Sequence, residues 1–317
     1  MVKVAQVNLV FTILILFLLL SIIFVVINYY LKLKGTLSKV VDTFKSIIPK
    51  LEHHEYKKIT YPHWGVQHYS PNFNLDTAIL LANFGLSAYN LAGGYDPRLP
   101  NHIEFIRRIG GNGYLFKKDK EHILVYRGTL YKEDLWTDFD VSQRPLPHPG
   151  ERKALVHRGF YDLWYKSRND LRELIDELTD EFPLYITGHS MGTATATLSA
   201  LYLAPRIKSP IVLYNFAAPH LGDGELMGLL QQTLPNNYSI QNSQDIIPYL
   251  PPNNCATLSH TYLYDNYPNV IHLDLQTNSM VDNHHLTSYL YALDQSSEKP
   301  SSVIWNRPIK RAVELVV

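Results

Sequence analysis

Residues 9–27 read LVFTILILFLLLSIIFVVI, nineteen positions without a charge. As a helix this run spans about 28 Å, close to the thickness of a bilayer core. The pattern predicts a membrane-spanning anchor over residues 7–31. A cleaved leader would carry a shorter apolar stretch ending in small residues. Here Asn28, Tyr29, Tyr30 and Leu31 follow, then Lys32 and Lys34, the aromatic and basic edge of a retained helix. Lys32, Lys34, Lys39 and Lys45 outnumber Lys3 on the other side, which directs the rest of the chain to the cytosol. The period then changes. Leu37, Val40, Val41, Phe44, Ile47, Ile48 and Leu51 recur at helical spacing with Lys39, Lys45 and Lys50 between them. Residues 32–60 are therefore an amphipathic juxtamembrane segment, placed either among lipid headgroups or against the body of the protein.

Over residues 70–295 the pattern is that of a globular domain. Ala78, Leu81, Phe84 and Ala88 form one helical stripe, running towards a stop at Gly93-Gly94. Two apolar strands, 113–116 and 123–126, flank a charged turn and predict a hairpin. A helix over 167–179 precedes a short buried strand at Leu184, Tyr185 and Ile186, and further strands fall at 211–216, 238–242 and 270–275 with helices between them. Strands alternating with helices give an α/β class with one mostly parallel central sheet and helices on both faces. The tail, 296–317, carries no assignable pattern.

Composition narrows the chemistry. Lys plus Arg equal Asp plus Glu at 29 each, so no global field favours nucleic acid or a polyanionic substrate. Cys255 is the only cysteine, which excludes an internal disulfide. No Cys and His spacing suits zinc, and the pairs His53-His54 and His284-His285 lack the i, i+4 geometry of a helical ligand pair, so neither metal nor other cofactor is expected.

The segment 184–200, LYITGHSMGTATATLSA, is an apolar strand, a Gly-His-Ser-Met-Gly turn and small residues at helical spacing. That is the pattern of a nucleophile elbow, in which Gly188 and Gly192 leave room for a sharp bend and Ser190 stands at its tip. Acyl transfer by a serine also needs a base, a group to orient that base, and donors for the oxyanion. In α/β-hydrolase order the acid and then the histidine follow the serine. Asp245 lies just past the 238–242 strand in a loop stiffened by Pro248, Pro251 and Pro252, with Asp223 as the second candidate. His284 and His285 follow the last clear strand and open a helix, while His260 and His272 are alternatives, His272 reading as a solvent-facing strand residue.

Six stretches occur in a fixed order: ILVYRGT at 123–129, VHRGFYDLW at 156–164, ITGHSMG at 186–192, NFAAPHLGD at 215–223, QDIIPYLPP at 244–252 and HHLTSYLYAL at 284–293. Together they resemble the class 3 lipases, the fungal triacylglycerol lipase-like branch of the α/β-hydrolases. The resemblance implies Ser190 as nucleophile, Asp245 as orienting acid and His284 as base, with His285 as fallback. It also implies an oxyanion hole from Thr129 and the Met191 N–H, and a lid over 130–138 containing Tyr131, Leu135 and Trp136. Thr193 stands where that family commonly has glycine, and the membrane anchor is a second departure from the secreted fungal members.

The function implied is hydrolysis of lipid carboxylic esters, acylglycerol or phospholipid, through an acyl-enzyme, by a protein whose partners are its lipid substrate and the membrane. Two other classes share these features: a catalytically silent, membrane-tethered binding module, and an amidase or protease using the same triad.

Overall fold

The computed structural model describes residues 73–91, 103–128, 140–147, 153–178, 182–257 and 260–297. The expected anchor at 7–31, the juxtamembrane segment 32–60, the Gly93-Gly94 stop, Thr129 and the 130–138 lid lie outside the described residues, as does the tail beyond 297. Among the described residues, no helix is long and apolar enough to cross a membrane.

Helix α1, Leu75–Leu91, opens the described part, followed by β1 Ile103–Ile109, β2 Gly113–Lys118 and β3 Glu121–Tyr126. The β4–β5 ribbon, Gln143–Pro145 with Leu155–His157, leads into α2 Arg158–Tyr165 and α3 Arg168–Glu177. Then come β6 Leu184–His189, α4 Gly192–Leu203, β7 Ile211–Phe216, α5 Gly224–Thr233 and β8 Asn237–Asn242. A second ribbon, β9 Asn254–Ala256 with β10 Thr261–Leu263, precedes β11 Val270–Leu273, α6 Met280–His284 and α7 Leu286–Ser297.

Among the described residues, seven strands form one sheet in the order β1-β2-β3-β6-β7-β8-β11. The β1-β2-β3 edge is antiparallel and every pairing from β3 to β11 is parallel. Side chains alternate across the inner strands. Leu124, Tyr126, Leu184, Ile186 and Leu213 join the core packed under α2, α3 and α4. On the opposite face α1 runs against β3, β6 and β7, and α7 packs on α1. Phe84 of α1 meets Phe116 of β2 at 5.1 Å between ring centroids, and the Tyr214 hydroxyl accepts from the Asn74 N–H at 2.9 Å. Two covered faces explain why β3, β6 and β7 are buried along their whole length and carry the apolar runs 123–126, 184–186 and 211–214.

Helix α4 is buried almost all round and owes this to its small residues, since Ala194, Ala196 and Ala200 let its backbone approach the sheet. Two of its buried hydroxyls are tied down: Thr197 Oγ1 donates to the Thr193 carbonyl at 2.8 Å, and Ser199 Oγ bonds the Tyr126 hydroxyl at 2.9 Å.

Three expectations need correction. The last strand stops at Leu273 because its partner ends at Asn242, whose side-chain amide then takes over the backbone of Leu275, accepting from its N–H at 2.9 Å and donating to its carbonyl at 2.9 Å. His284 does not open a helix. It closes α6, which Ser279 caps by accepting from the Asp282 N–H, and the extended backbone of His285 separates α6 from α7. Strand β1 and helix α2 lie in stretches for which no element was expected. In β1 a bulge between Phe105 and Arg107 breaks the two-residue alternation that marks a strand.

Candidate active site

The carboxyl ends of the parallel strands converge on one place. Ser190 follows β6 and holds φ +55°, the left-handed conformation that L residues avoid. The turn is secured on both sides: the Ser190 N–H donates to the Phe216 carbonyl at 3.0 Å, and the Thr193 N–H donates to the Ser190 carbonyl at 3.0 Å. A side chain at Gly188 would sit 2.6 Å from the Gly192 carbonyl oxygen, and one at Gly192 would strike the Tyr126 carbonyl oxygen. Strand, turn and helix can therefore cross this closely only with glycine at both positions. Thr193, the departure at this motif, uses its hydroxyl as a further clamp, donating to the Ser190 carbonyl at 2.6 Å.

His284, rather than His285, joins the site. Its Nε2 lies 2.8 Å from Ser190 Oγ and its Nδ1 lies 2.8 Å from Asp245 Oδ2. With Nδ1–H donating to the carboxylate, Nε2 is left to accept the serine proton. Asp245 and Ser190 are buried at 1% and 3% exposure, so this chain of bonds runs in a low-dielectric setting. Asp245 is held by two further donors, the Ile247 N–H at 3.0 Å on Oδ1 and the Tyr289 hydroxyl at 2.7 Å on Oδ2. Tyr289 in turn accepts from the Asn242 N–H at 3.0 Å, and burial, with the Asp245 charge beside it, raises its pKa well above 10. It stays a donor at any working pH.

Buried amides lock the acid loop to the base loop. Asn283 Nδ2 donates to the Gln244 carbonyl at 3.0 Å, and Asn283 Oδ1 accepts from the Thr277 N–H at 2.9 Å. Asn242 Nδ2 reaches the Asn283 carbonyl at 3.2 Å. These four residues fix the segment just before His284 without touching its ring.

The other candidates fall elsewhere. Asp223 caps α5, accepting from Leu226 N–H at 2.9 Å and Leu155 N–H at 3.1 Å. His272 is exposed on β11, and His260 stacks beside Tyr262 at 6.0 Å next to the β9–β10 ribbon. Met191 caps α4 directly after Ser190, and the N–H groups at the start of a helix favour negative charge beside them. Gly128, the residue before Thr129, lies against the elbow: a side chain there would come within 3.1 Å of Ser190 Cβ. No group of three or more His, Cys, Asp or Glu that could hold a metal occurs among the described residues.

Sequence reasoning missed Tyr89 and His189. The Tyr89 hydroxyl lies 2.7 Å from His189 Nδ1 and accepts from the Gly128 N–H at 3.0 Å, while His189 Nε2 lies 2.9 Å from the His284 carbonyl. Burial raises the Tyr89 pKa to about 12 and holds His189 well below 6.5, an effect reinforced by the neighbouring His284. Tyr89 and His189 are 100 residues apart, and no local pattern connects them.

Part of the chain is similar to known proteins. The model for Lipase (class 3) matches residues 123–255. A lipase of Rhizomucor miehei is 30% identical over 173 residues, covering 50% of this chain and 47% of that protein. Secreted mono- and diacylglycerol lipase 1 of Fusarium solani is 26% identical over 136 residues, covering 42% and 40%. The chain thus spans half or less of the length of these curated relatives. The solved structure of the Rhizomucor miehei triacylglyceride lipase shares the fold, with a TM-score of 0.52 at 22% identity over 62% of this chain and 78% of that one. By these matches residues 123–255 are similar to the class 3 lipases, and the elbow and sheet are of the α/β-hydrolase type.

Proposed function

We propose that the protein is a carboxylic ester hydrolase acting on lipid, acylglycerol or phospholipid, and held at a membrane by residues 7–31. The observation that carries the reading is the unbroken chain from Asp245 through His284 to Ser190, with 2.8 Å at each step. Ser190 Oγ attacks the acyl carbonyl as His284 Nε2 takes its proton. The imidazolium then protonates the departing alcohol, and water, activated by the same nitrogen, hydrolyses the acyl-enzyme. Asp245 keeps the imidazole in the tautomer that exposes Nε2 and stabilises its charged form. In this reading the Met191 N–H and Thr129 supply the donors that stabilise the oxyanion.

The names of the relatives favour acylglycerols, since the one in Fusarium solani is a mono- and diacylglycerol lipase. An anchor fits a substrate dissolved in the bilayer, because it raises the local encounter concentration. The lysine excess after the anchor favours a cytosolic hydrolase domain.

The test is turnover by the full chain in vesicles of defined glycerolipids, beside matched soluble ester and amide substrates. Release of fatty acid that Ser190→Ala abolishes, with esters preferred over amides, is the expected result. Amide preference would make the protein an amidase, and silence on every substrate would leave a binding module. Alkaline extraction of membranes tests the anchor: the full chain should stay in the pellet and a chain lacking residues 1–31 should leave it.

A further inference from the structure

We propose that Tyr89 and His189 are positioning residues for the proposed reaction, forming a hydroxyl-to-imidazole relay that pins the backbone of the base and the end of β3 to the elbow. Their part in turnover rests on the hydrolase reading above, but the relay itself is a matter of geometry.

Protons can be placed on it by elimination. The His284 carbonyl, 2.9 Å from His189 Nε2, can only accept, so Nε2 carries the hydrogen. The neutral imidazole then has a bare Nδ1 facing the Tyr89 hydroxyl at 2.7 Å, and that hydroxyl must donate. Tyr89 is free to do so because its own oxygen already accepts from the Gly128 N–H at 3.0 Å. An imidazolium would make both ring nitrogens donors. It would also place a charge in a buried site 4.9 Å, ring centre to ring centre, from His284, which must itself become charged during the reaction. A neutral His189 with one fixed tautomer removes that competition.

The relay links four pieces of the chain that must agree in position. Tyr89 brings the last turn of α1, Gly128 the end of β3, His189 the residue before the nucleophile, and His284 the carbonyl of the base. The hydrogen bonds of His284 to Asp245 and Ser190 orient its ring, whereas the relay holds its main chain.

The experiment uses the full chain with a soluble ester as substrate. Tyr89→Phe removes both the bond to His189 and the acceptor of the Gly128 N–H, and should lower kcat roughly fivefold to tenfold with KM unchanged within about twofold, as expected where neutral hydrogen bonds serve the transition state. Tyr214→Phe is the control. It removes the hydroxyl that accepts the Asn74 N–H, next to the start of α1, so a merely structural role of α1 would make the two variants behave alike. It should keep kcat within about twofold of the parent. The double variant Tyr89→Phe/His189→Gln should lose no more than His189→Gln alone, because the residues act in series. Unchanged kcat in Tyr89→Phe, equal losses in the two tyrosine variants, or multiplicative losses in the double variant would overturn the proposal.

Nitrogen-15 spectra of histidine-labelled protein decide the relay without activity. His189 should show a bare Nδ1 and a protonated Nε2 at neutral pH, the Nδ1 signal moving in Tyr89→Phe and not in Tyr214→Phe. A protonated Nδ1 overturns the relay even if turnover is normal. If turnover does not depend on Ser190, the hydrolase reading fails and the spectrum still tests the relay.

Discussion

His284 sits between two tyrosines that use the same device to different ends. On the acid side Tyr289 accepts a backbone N–H from Asn242 and donates to Asp245; on the elbow side Tyr89 accepts a backbone N–H from Gly128 and donates to His189. Each hydroxyl is fixed by a main-chain donor, so its single proton can point only at its target. The targets differ in charge. Tyr289 serves a carboxylate, where a hydrogen bond is worth about 1.5–3 kcal/mol, and Tyr89 serves a neutral imidazole, where it is worth about 0.5–1.5 kcal/mol. The ring of the base is thus oriented by the stronger, ionic arm and its backbone is set by the weaker, neutral one.

Substitutions that break this asymmetry should rank accordingly. Asp245→Asn keeps the shape of the acid arm but reverses its demand on Nδ1, and kcat for ester hydrolysis should fall about 10⁴-fold. Tyr289→Phe leaves the carboxylate with the Ile247 N–H and the imidazole, so kcat should drop roughly tenfold to a hundredfold, measured on the same soluble ester. A Tyr289→Phe loss smaller than that of Tyr89→Phe would invert the ranking. Thr193→Val removes the clamp on the Ser190 carbonyl while keeping the volume. Denaturant titration should show about 1 kcal/mol of lost stability, with kcat within roughly threefold of the parent.

Another buried histidine, His157, is kept neutral with no part in either arm. Burial lowers its pKa from 6.5 to about 4. Above pH 6.5 native and unfolded chains are both neutral there. As pH falls, the unfolded chain takes up a proton that the native one refuses, so stability declines until about pH 4, by up to about 3 kcal/mol. His157→Asn keeps a side-chain oxygen for the Phe160 N–H that His157 Nδ1 now accepts. Its stability should therefore fall less between pH 7 and pH 4 than that of the parent in paired denaturant melts, with kcat unchanged. Equal declines in the two proteins would assign the acid sensitivity elsewhere.

What could be read in the sequence follows the range of the interactions. The elbow is legible because strand, turn and helix are contiguous, and each glycine answers a local steric demand. The hairpin of β2 and β3 and the apolar runs of β6 and β7 were legible from period and composition. Period and composition left His284 and His285 open and the family resemblance alone preferred His284, because their difference is the end of α6, set by the Ser279 cap and by the Asn283 and Asn242 amides. Strand β1 is hidden by its bulge. The Tyr89 relay is invisible for a stronger reason. Tyr89 continues the apolar helix α1, His189 belongs to the elbow motif, and their meeting is made only by the packing of α1 on β6.

In the proposed reaction Ser190 is a nucleophile activated by the Asp245–His284 pair. The most direct measurement is to treat the folded full chain with a fluorophosphonate and map the adduct by peptide mass spectrometry. One equivalent on Ser190, formed much more slowly in Asp245→Asn, is the predicted result. An unlabelled Ser190 in folded protein, or labelling at the same rate without the carboxylate, would contradict it.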